Sequence, residues 1–256
     1  MAAAHRVAVV IIGDEILEGS TVDTNSTTLI RWANSQGHRV VSVQTVSDRQ
    51  EVIVETLRRA RHDGATIIIT TGGVGPTIDD LTVESVGRSL GIDDDHELPE
   101  MLEALRGWIG EEPQGVRRRT ARVPVGTSVL FPKREDGSRG WPIFCVGDTY
   151  CLPGIPRLVA KLLPLLPPGP GERPFAKVRF QGYETQGAQS MEAVASQYPL
   201  LDFGSYPPTQ SGDDWVSLTV RGAHGAPVHE AAQALLVALR QEGLLAEWVS
   251  PKSEGE

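Results

Sequence analysis

The stretch Ile67-Ile-Ile-Thr70-Thr71-Gly72-Gly73-Val74-Gly75-Pro76-Thr77-Ile78-Asp79-Asp80-Leu81-Thr82 decides the fold. A short β-branched run of this kind reads as a strand buried on both faces, as in a parallel sheet. It enters a glycine loop, and a helical pattern follows over Asp80–Leu90. Leu81, Val83, Val86 and Leu90 point inward there, and Gly91 supplies the stop. Strand, loop and helix in this order are the repeating unit of an α/β fold.

The same alternation continues on both sides. Val7–Ile12, Arg39–Val46 and Ala65–Thr71 read as buried strands. Helical spacing occupies Asn25–Ser35, ending at Gly37, and Gln50–His62, where Val52, Ile53, Thr56, Leu57 and Ala60 form one stripe. A helix is expected over Leu98–Ile109 and strands over Ser128–Phe131 and Pro142–Val146. Leu152–Leu166 reads as a helix opened by Pro153 and Pro156. Right-handed crossovers then give a three-layer αβα domain with a mostly parallel sheet over residues 1–166.

The run Pro164-Leu-Leu-Pro-Pro-Gly-Pro-Gly-Glu-Arg-Pro174 cannot continue a helix, because each proline removes an amide donor and clashes with the preceding turn. A linker is therefore placed at 167–173. Beyond it the pattern reads strand Ala176–Tyr183, helix Ser190–Gln197, strands Asp202–Tyr206 and Trp215–Arg221, helix Val228–Glu242, strand Leu245–Val249. The order βαββαβ predicts a small ferredoxin-like α+β domain over 174–250, with a frayed tail at 251–256.

Composition narrows the function. The 256 residues carry 33 acidic and 24 basic side chains, a net charge of −9. A nucleic-acid binder needs a concentrated basic face, which this balance argues against. The longest aliphatic stretch, Val7–Ile12, is far too short for a membrane span, and Met1-Ala-Ala-Ala-His5 lacks the pattern of a signal peptide. A cytoplasmic protein with neither nucleic-acid nor membrane partners is expected. Cys145 and Cys151 are too few for a disulfide framework and match no common zinc spacing. They read as small apolar side chains.

The glycine loop carries the chemistry. Glycines let backbone approach a ligand, and a helix N-terminus offers unpaired N–H groups, so together they suit an anion. Neither standard phosphate fingerprint is present. Asp79 and Asp80 would repel a bare phosphate, so phosphate here calls for a divalent cation, with Mg²⁺ the natural choice and Mn²⁺ or Co²⁺ as alternatives. The competing reading is that these carboxylates complement the helix macrodipole. A second cluster is Gly13-Asp14-Glu15 with Asp23-Thr24-Asn25. Strand carboxyl ends face the crevice in such sheets, so Asp14, Asp48 and Thr70–Gly75 can meet on one edge. Ordinary helix capping is the alternative for Asp23, Asn25 and Asp48.

Gly13-Asp-Glu-Ile-Leu-Glu-Gly19, Asp23-Thr-Asn25, Val46-Ser-Asp48, the Thr71–Thr82 stretch and Leu152-Pro-Gly-Ile-Pro156 together resemble the MoaB/Mog molybdopterin-binding family. The similarity is greater to its branch formed by CinA amino-terminal domains and the molybdopterin-binding-like domain of eukaryotic FAD synthase. Gly204-Ser-Tyr-Pro207 and Val216–Val220 resemble the smaller domain of that branch.

The resemblance implies a phosphorylated small-molecule partner, a nucleotide diphosphate or molybdopterin, on Thr71, Gly72, Gly73 and Gly75. Asp14, Asp23, Asn25, Pro76, Thr77 and Thr82 stand around it, and Pro153 and Gly154 close the far side. Asp48 and Asp80 are the implied catalytic residues, and Asp48, Asp79 and Asp80 the implied metal set. Three activities follow: metal-dependent hydrolysis of ADP-ribose or FAD, molybdopterin binding or adenylylation, or a non-catalytic binding module. Relatives are dimers or trimers, which implies a homo-oligomer. The chain departs from the branch pattern at Arg117 and Thr120, where Asn and Gln are usual. Arg117, Arg118, Arg119 and Arg122 either meet an anionic substrate or form a solvated patch.

Overall fold

Alternate side chains of β1 (Arg6–Ile12) enter two different cores. Ala8, Val10 and Ile12 pack on one face, and Val7, Val9 and Ile11 on the other, as expected of a strand covered on both sides. The computed structural model describes residues 2–133, 137–208 and 214–249, so the tail expected at 251–256 lies outside the described residues.

The chain continues through α1 (Asp14–Leu17), α2 (Asn25–Ser35), β2 (Arg39–Val46), α3 (Gln50–His62), β3 (Ile67–Thr71) and α4 (Thr82–Ser89). Next come β4 (Asp95–Glu97), α5 (Pro99–Ile109), α6 (Val116–Arg119), β5 (Arg122–Pro124) and β6 (Ser128–Leu130). The sheet is completed by β7 (Ile143–Val146) and β8 (Thr149–Leu152), after which α7 (Pro156–Leu162) runs into a 3₁₀ turn. The sheet order is β2-β1-β3-β8-β7-β6. Its first three pairings are parallel and its last two antiparallel, so β7 alone runs against the other five strands.

Ile53 and Leu57 of α3, Val86 of α4 and Met101 of α5 cover one face. Leu29 and Trp32 of α2 with Val159 and Leu162 of α7 cover the other. Each such fully buried aliphatic side chain contributes about 1.5–3 kcal/mol over its exposed state. The αβα layering and the mostly parallel sheet are as the periodicity predicts.

Several local expectations are corrected. Leu152 does not open a helix: it ends β8, paired with Thr71 of β3. The residue before a proline is driven to extended geometry, and Pro153 enforces that here, so α7 starts only at Pro156. Helix α4 starts at Thr82 rather than Asp80. Asp79 and Asp80 therefore stand in the loop just before the helix, outside its first turn. The elements α1, α6, β4, β5 and β8 fall outside the expected pattern, being three or four residues long and too short for a periodic signal.

The chain divides into two compact units, Met1–Gly171 and Glu172–Glu256. The second holds β9 (Phe175–Gln181), α8 (Glu184–Gln197), β10 (Asp202–Tyr206), β11 (Trp215–Arg221), α9 (Gly225–Gln241) and β12 (Ala246–Val249). Its antiparallel order β10-β11-β9-β12 is the ferredoxin-like arrangement. Helix α8 begins six residues earlier than its apolar stripe suggests, at Glu184 rather than Ser190. Its first turns carry Gly187, where a Cβ would stand 2.6 Å from the Phe180 ring, so close packing replaces an apolar side chain.

Candidate functional site

Val46, Ile12, Thr71 and Leu152 end four neighbouring parallel strands side by side. The loops that follow therefore share one rim. Gly72 takes φ +102°, and a Cβ on it would stand 1.9 Å from the Ile12 carbonyl oxygen. Gly73 takes φ +59°, with the Thr82 hydroxyl 2.5 Å from any added Cβ. Only glycine meets both demands.

Buried polar side chains fasten this loop from behind. The Thr82 hydroxyl donates to the Gly72 carbonyl oxygen at 2.7 Å, and the Thr71 hydroxyl to that of Pro153 at 2.9 Å. Asn25 Nδ2 donates both to Thr71 Oγ1 at 3.1 Å and to the Gly154 carbonyl oxygen at 2.8 Å. Gly73, Val74 and Gly75, in contrast, have backbone N–H groups that donate to no partner among the described residues. Consecutive free N–H groups on a turn with positive φ form an anion-binding nest.

Carboxylates flank the nest. Asp48 Oδ2 accepts the Asp14 backbone N–H at 2.8 Å. Burial pushes the Asp48 carboxyl above its ordinary range, and the Asp14, Glu15 and Asp79 charges push it further, against that hydrogen bond. Asp80 Oδ2 accepts the Thr77 N–H at 2.8 Å and the Thr77 hydroxyl at 2.6 Å, which builds the turn before α4. Asp79 is held below the usual carboxylate range by the Thr77 hydroxyl first, then its own backbone N–H, with a smaller pull from Arg119.

A cleft of about 420 Å³ opens over these groups, lined by Asp48, Asp79, Asp80, Gly72–Pro76 and Gly154. The structure thus brings together both expected catalytic carboxylates, the third expected metal carboxylate, Gly72, Gly73, Gly75, Pro76, Pro153 and Gly154. It does not bring Asn25, Thr71 or Thr82 to the cleft surface: all three are buried and spend their polar groups holding its walls. Thr77 acts through Asp80, and Asp14 through Asp48. Asp23 accepts the Ser26 N–H at 3.0 Å at the start of α2, the capping role that was its alternative. Ile12, Glu15, Trp141, Ile155 and Leu158 also line the cleft and were not among the expected site residues. Glu15 and Ile155 neighbour the expected residues Asp14 and Gly154, whereas Ile12, Trp141 and Leu158 carry no local signal.

Among the described residues, no three His, Cys, Asp or Glu side chains converge as a ready-made metal cage. Asp48, Asp79 and Asp80 share the lining of one cleft, and carboxylate oxygens are the donor type a hard divalent cation takes, one or two at a time beside phosphate oxygens and water. The cysteines take no part. Burial raises the Cys145 thiol to about 11 and the Cys151 thiol to about 12, so both stay protonated.

Residues 8–168 match the family model described as "Probable molybdopterin binding domain", and residues 175–247 match "FAD synthase, middle domain". The chain belongs to the CinA-like branch of the MoaB/Mog molybdopterin-binding family. A CinA-like protein of Myxococcus xanthus is 30% identical over 253 residues, covering 93% of this chain and 58% of its own. Another, from Citrifermentans bemidjiense, is 36% identical over 163 residues, covering 62% and 38%. This chain therefore spans 38% to 58% of the length of these CinA-like relatives. The crystal structure of a CinA protein of unknown function from Thermoplasma acidophilum superposes with a TM-score of 0.56 at 26% identity, covering 64% of this chain and 96% of that one.

The structure locates Arg117 and Thr120, the two positions at which the resemblance to the branch breaks. Arg117 lies on α6, exposed and paired with Glu111 at 3.1 Å, away from the cleft. Thr120 is buried in a second recess that shares Gly73, Gly75 and Asp80 with the main cleft and is flanked by Arg119 and Arg122. Arg118 pairs with Glu97 and Glu112, and Arg122 with Asp95. Among the described residues Arg119 makes no ion pair, so of the four arginines it alone keeps its charge uncommitted beside the nest. No described helix is long and apolar enough to cross a membrane.

Proposed function

We propose that this chain hydrolyses the phosphoanhydride bond of nucleotide diphosphates of the ADP-ribose or FAD type, assisted by a divalent cation. One observation carries the reading: a nest of free N–H groups at Gly73–Gly75 opens into the same cleft as Asp48, Asp79 and Asp80. The nest suits phosphate oxygens, and the carboxylates call for a cation between them and that phosphate.

Asp80 and Asp79 would hold the cation, which leaves Asp48 to act as base. A bound cation supplies charge neutralisation and polarisation of the bridging phosphate oxygens. The nest N–H groups bind the phosphate and stabilise the charge that grows on it. Asp48, the remaining aspartate of the cleft, takes the proton of the attacking water. The new bond joins water oxygen to phosphorus as the anhydride P–O bond breaks, and the two monophosphates leave. The Pro153–Gly154 lip, tied to Asn25 and Thr71, keeps the cleft in shape throughout.

A second reading is binding of molybdopterin, supported by the description of the family that residues 8–168 match. Incubation with ADP-ribose, FAD, NADH and ATP, each with Mg²⁺, Mn²⁺ or Co²⁺, separates the two. Cleavage that disappears on chelation and in Asp80→Ala supports hydrolysis. No turnover, with tight pterin binding by calorimetry, would sink it in favour of the second reading.

A further inference from the structure

Besides the carboxylates, the cleft is lined by Trp141, Ile155 and Leu158, three apolar side chains of which Ile155 is 48% exposed. Trp141 is half-buried and stacks on Trp108, with ring centroids 5.6 Å apart and planes 20° from parallel. The backing ring is fixed, since Trp108 Nε1 donates to the Arg139 carbonyl oxygen at 2.8 Å. Trp141 Nε1 is buried and has no hydrogen-bond partner among the described residues. Stacking and packing therefore hold the front indole, and no hydrogen bond fixes its tilt. A stacked indole pair beside aliphatic side chains suits a flat aromatic guest. None of these three side chains carries a charge that would bind phosphate. A ligand whose phosphates occupy the Gly73–Gly75 nest would place its uncharged end against Trp141.

We infer that Trp141, with Ile155 and Leu158, forms a subsite for a planar heteroaromatic ring carried by the phosphorylated ligand. This makes Trp141 a specificity-determining residue, and it rests on the diphosphate reading of the cleft. Chains of this kind would then bind ring-bearing diphosphates more tightly than inorganic pyrophosphate.

The test is calorimetric titration of the whole chain with Mg²⁺ and ADP-ribose, FAD or inorganic pyrophosphate. Wild type is compared with Trp141→Leu and Trp141→Phe, their fold checked by near-ultraviolet circular dichroism. Trp141→Leu is expected to weaken the ring-bearing ligands about tenfold, the size of one base–aromatic stack, while pyrophosphate is unchanged. Trp141→Phe should restore most of that loss. Comparing ADP-ribose with FAD tells adenine from flavin as the preferred ring. Pyrophosphate bound as tightly as ADP-ribose by the wild type, or an equal loss for both in Trp141→Leu, overturns the subsite and leaves the phosphate reading intact. Should the wild type bind no diphosphate, that reading fails, and adenosine and riboflavin decide the subsite alone. Quenching of indole fluorescence that is lost in Trp141→Leu upholds it, and quenching that persists overturns it.

Discussion

The backbone N–H of Asp14 donates to Asp48 Oδ2 at 2.8 Å, so the end of β1 fixes the carboxylate that follows β2. That carboxylate is held half-buried among the charges of Asp14, Glu15 and Asp79, and its pKa is raised, burial being the main cause. An acid with a folded pKa above its unfolded value contributes stability that is fully present below the unfolded pKa. The contribution is lost as pH rises through the folded pKa. At neutral pH the ionised Asp48 thus works against folding. Asp48→Asn keeps an oxygen for the Asp14 N–H and removes the charge. The expected outcome is a higher melting temperature than wild type at pH 7.5, with the gap closing as pH falls through the carboxylate range, and turnover lost. A lower melting temperature at pH 7.5 would contradict the electrostatic account.

Gly72→Ala tests the backbone of the nest. The left-handed φ alone costs about 1–3 kcal/mol for a non-glycine residue, and the clash with the Ile12 carbonyl adds to it. Chemical denaturation should show a loss at or above the upper end of that range. By contrast Gly91→Ala, also at positive φ but with nothing within 4 Å of its Cβ, should lose only the conformational part.

Asn25→Leu tests the wall. The side chain is buried and donates to Thr71 and to the Gly154 carbonyl oxygen. Leaving that carbonyl and the Thr71 hydroxyl oxygen short of a donor costs about 1–3 kcal/mol. Turnover should fall as well, because the Pro153–Gly154 lip loses its tie. A variant of unchanged activity would show that the lip is positioned by other contacts.

Arg119→Ala tests the uncommitted charge. Its neighbours Arg117, Arg118 and Arg122 are each paired with a carboxylate, so their removal should leave ligand affinity nearly unchanged. A charge-assisted hydrogen bond contributes about 1.5–3 kcal/mol, so loss of Arg119 should weaken diphosphate binding about 10- to 100-fold. Titrations at low and high salt check this, and equal effects of Arg117→Ala and Arg119→Ala would contradict it.

The β-branched runs and their intervening stripes made the αβα unit legible, because a strand buried on both faces must be apolar throughout. The glycine loop was legible too, since Gly72-Gly-Val-Gly75 follows a strand directly. Residue roles were harder to see. Thr71, Thr82 and Asn25 have the chemistry of ligand contacts, yet each is turned inward to hold a carbonyl oxygen. Whether a hydroxyl faces ligand or backbone depends on the turn, which local pattern does not encode. Asp79 and Asp80 looked helical because Leu81 and Val83 begin a stripe, whereas Thr77 binds Asp80 into a turn first. Trp141 was invisible as a site residue because it reaches the cleft from a connection 61 positions beyond Asp80, through β-sheet pairing far from the loop.

Phosphorus NMR of ADP-ribose incubated with the purified chain and Mg²⁺ tests the central claim most directly. The claim is that the nest and its carboxylates cleave a phosphoanhydride. The diphosphate resonances should give way to two monophosphate signals with wild type, and persist when metal is chelated. Asp80→Asn, which keeps the turn acceptor for Thr77 but loses the charge that would hold the cation, should slow the conversion by about 10²-fold or more, since cation-assisted charge stabilisation contributes several kcal/mol. Diphosphate resonances that survive in the wild-type sample for ADP-ribose and FAD alike, with each of Mg²⁺, Mn²⁺ and Co²⁺, would contradict the claim.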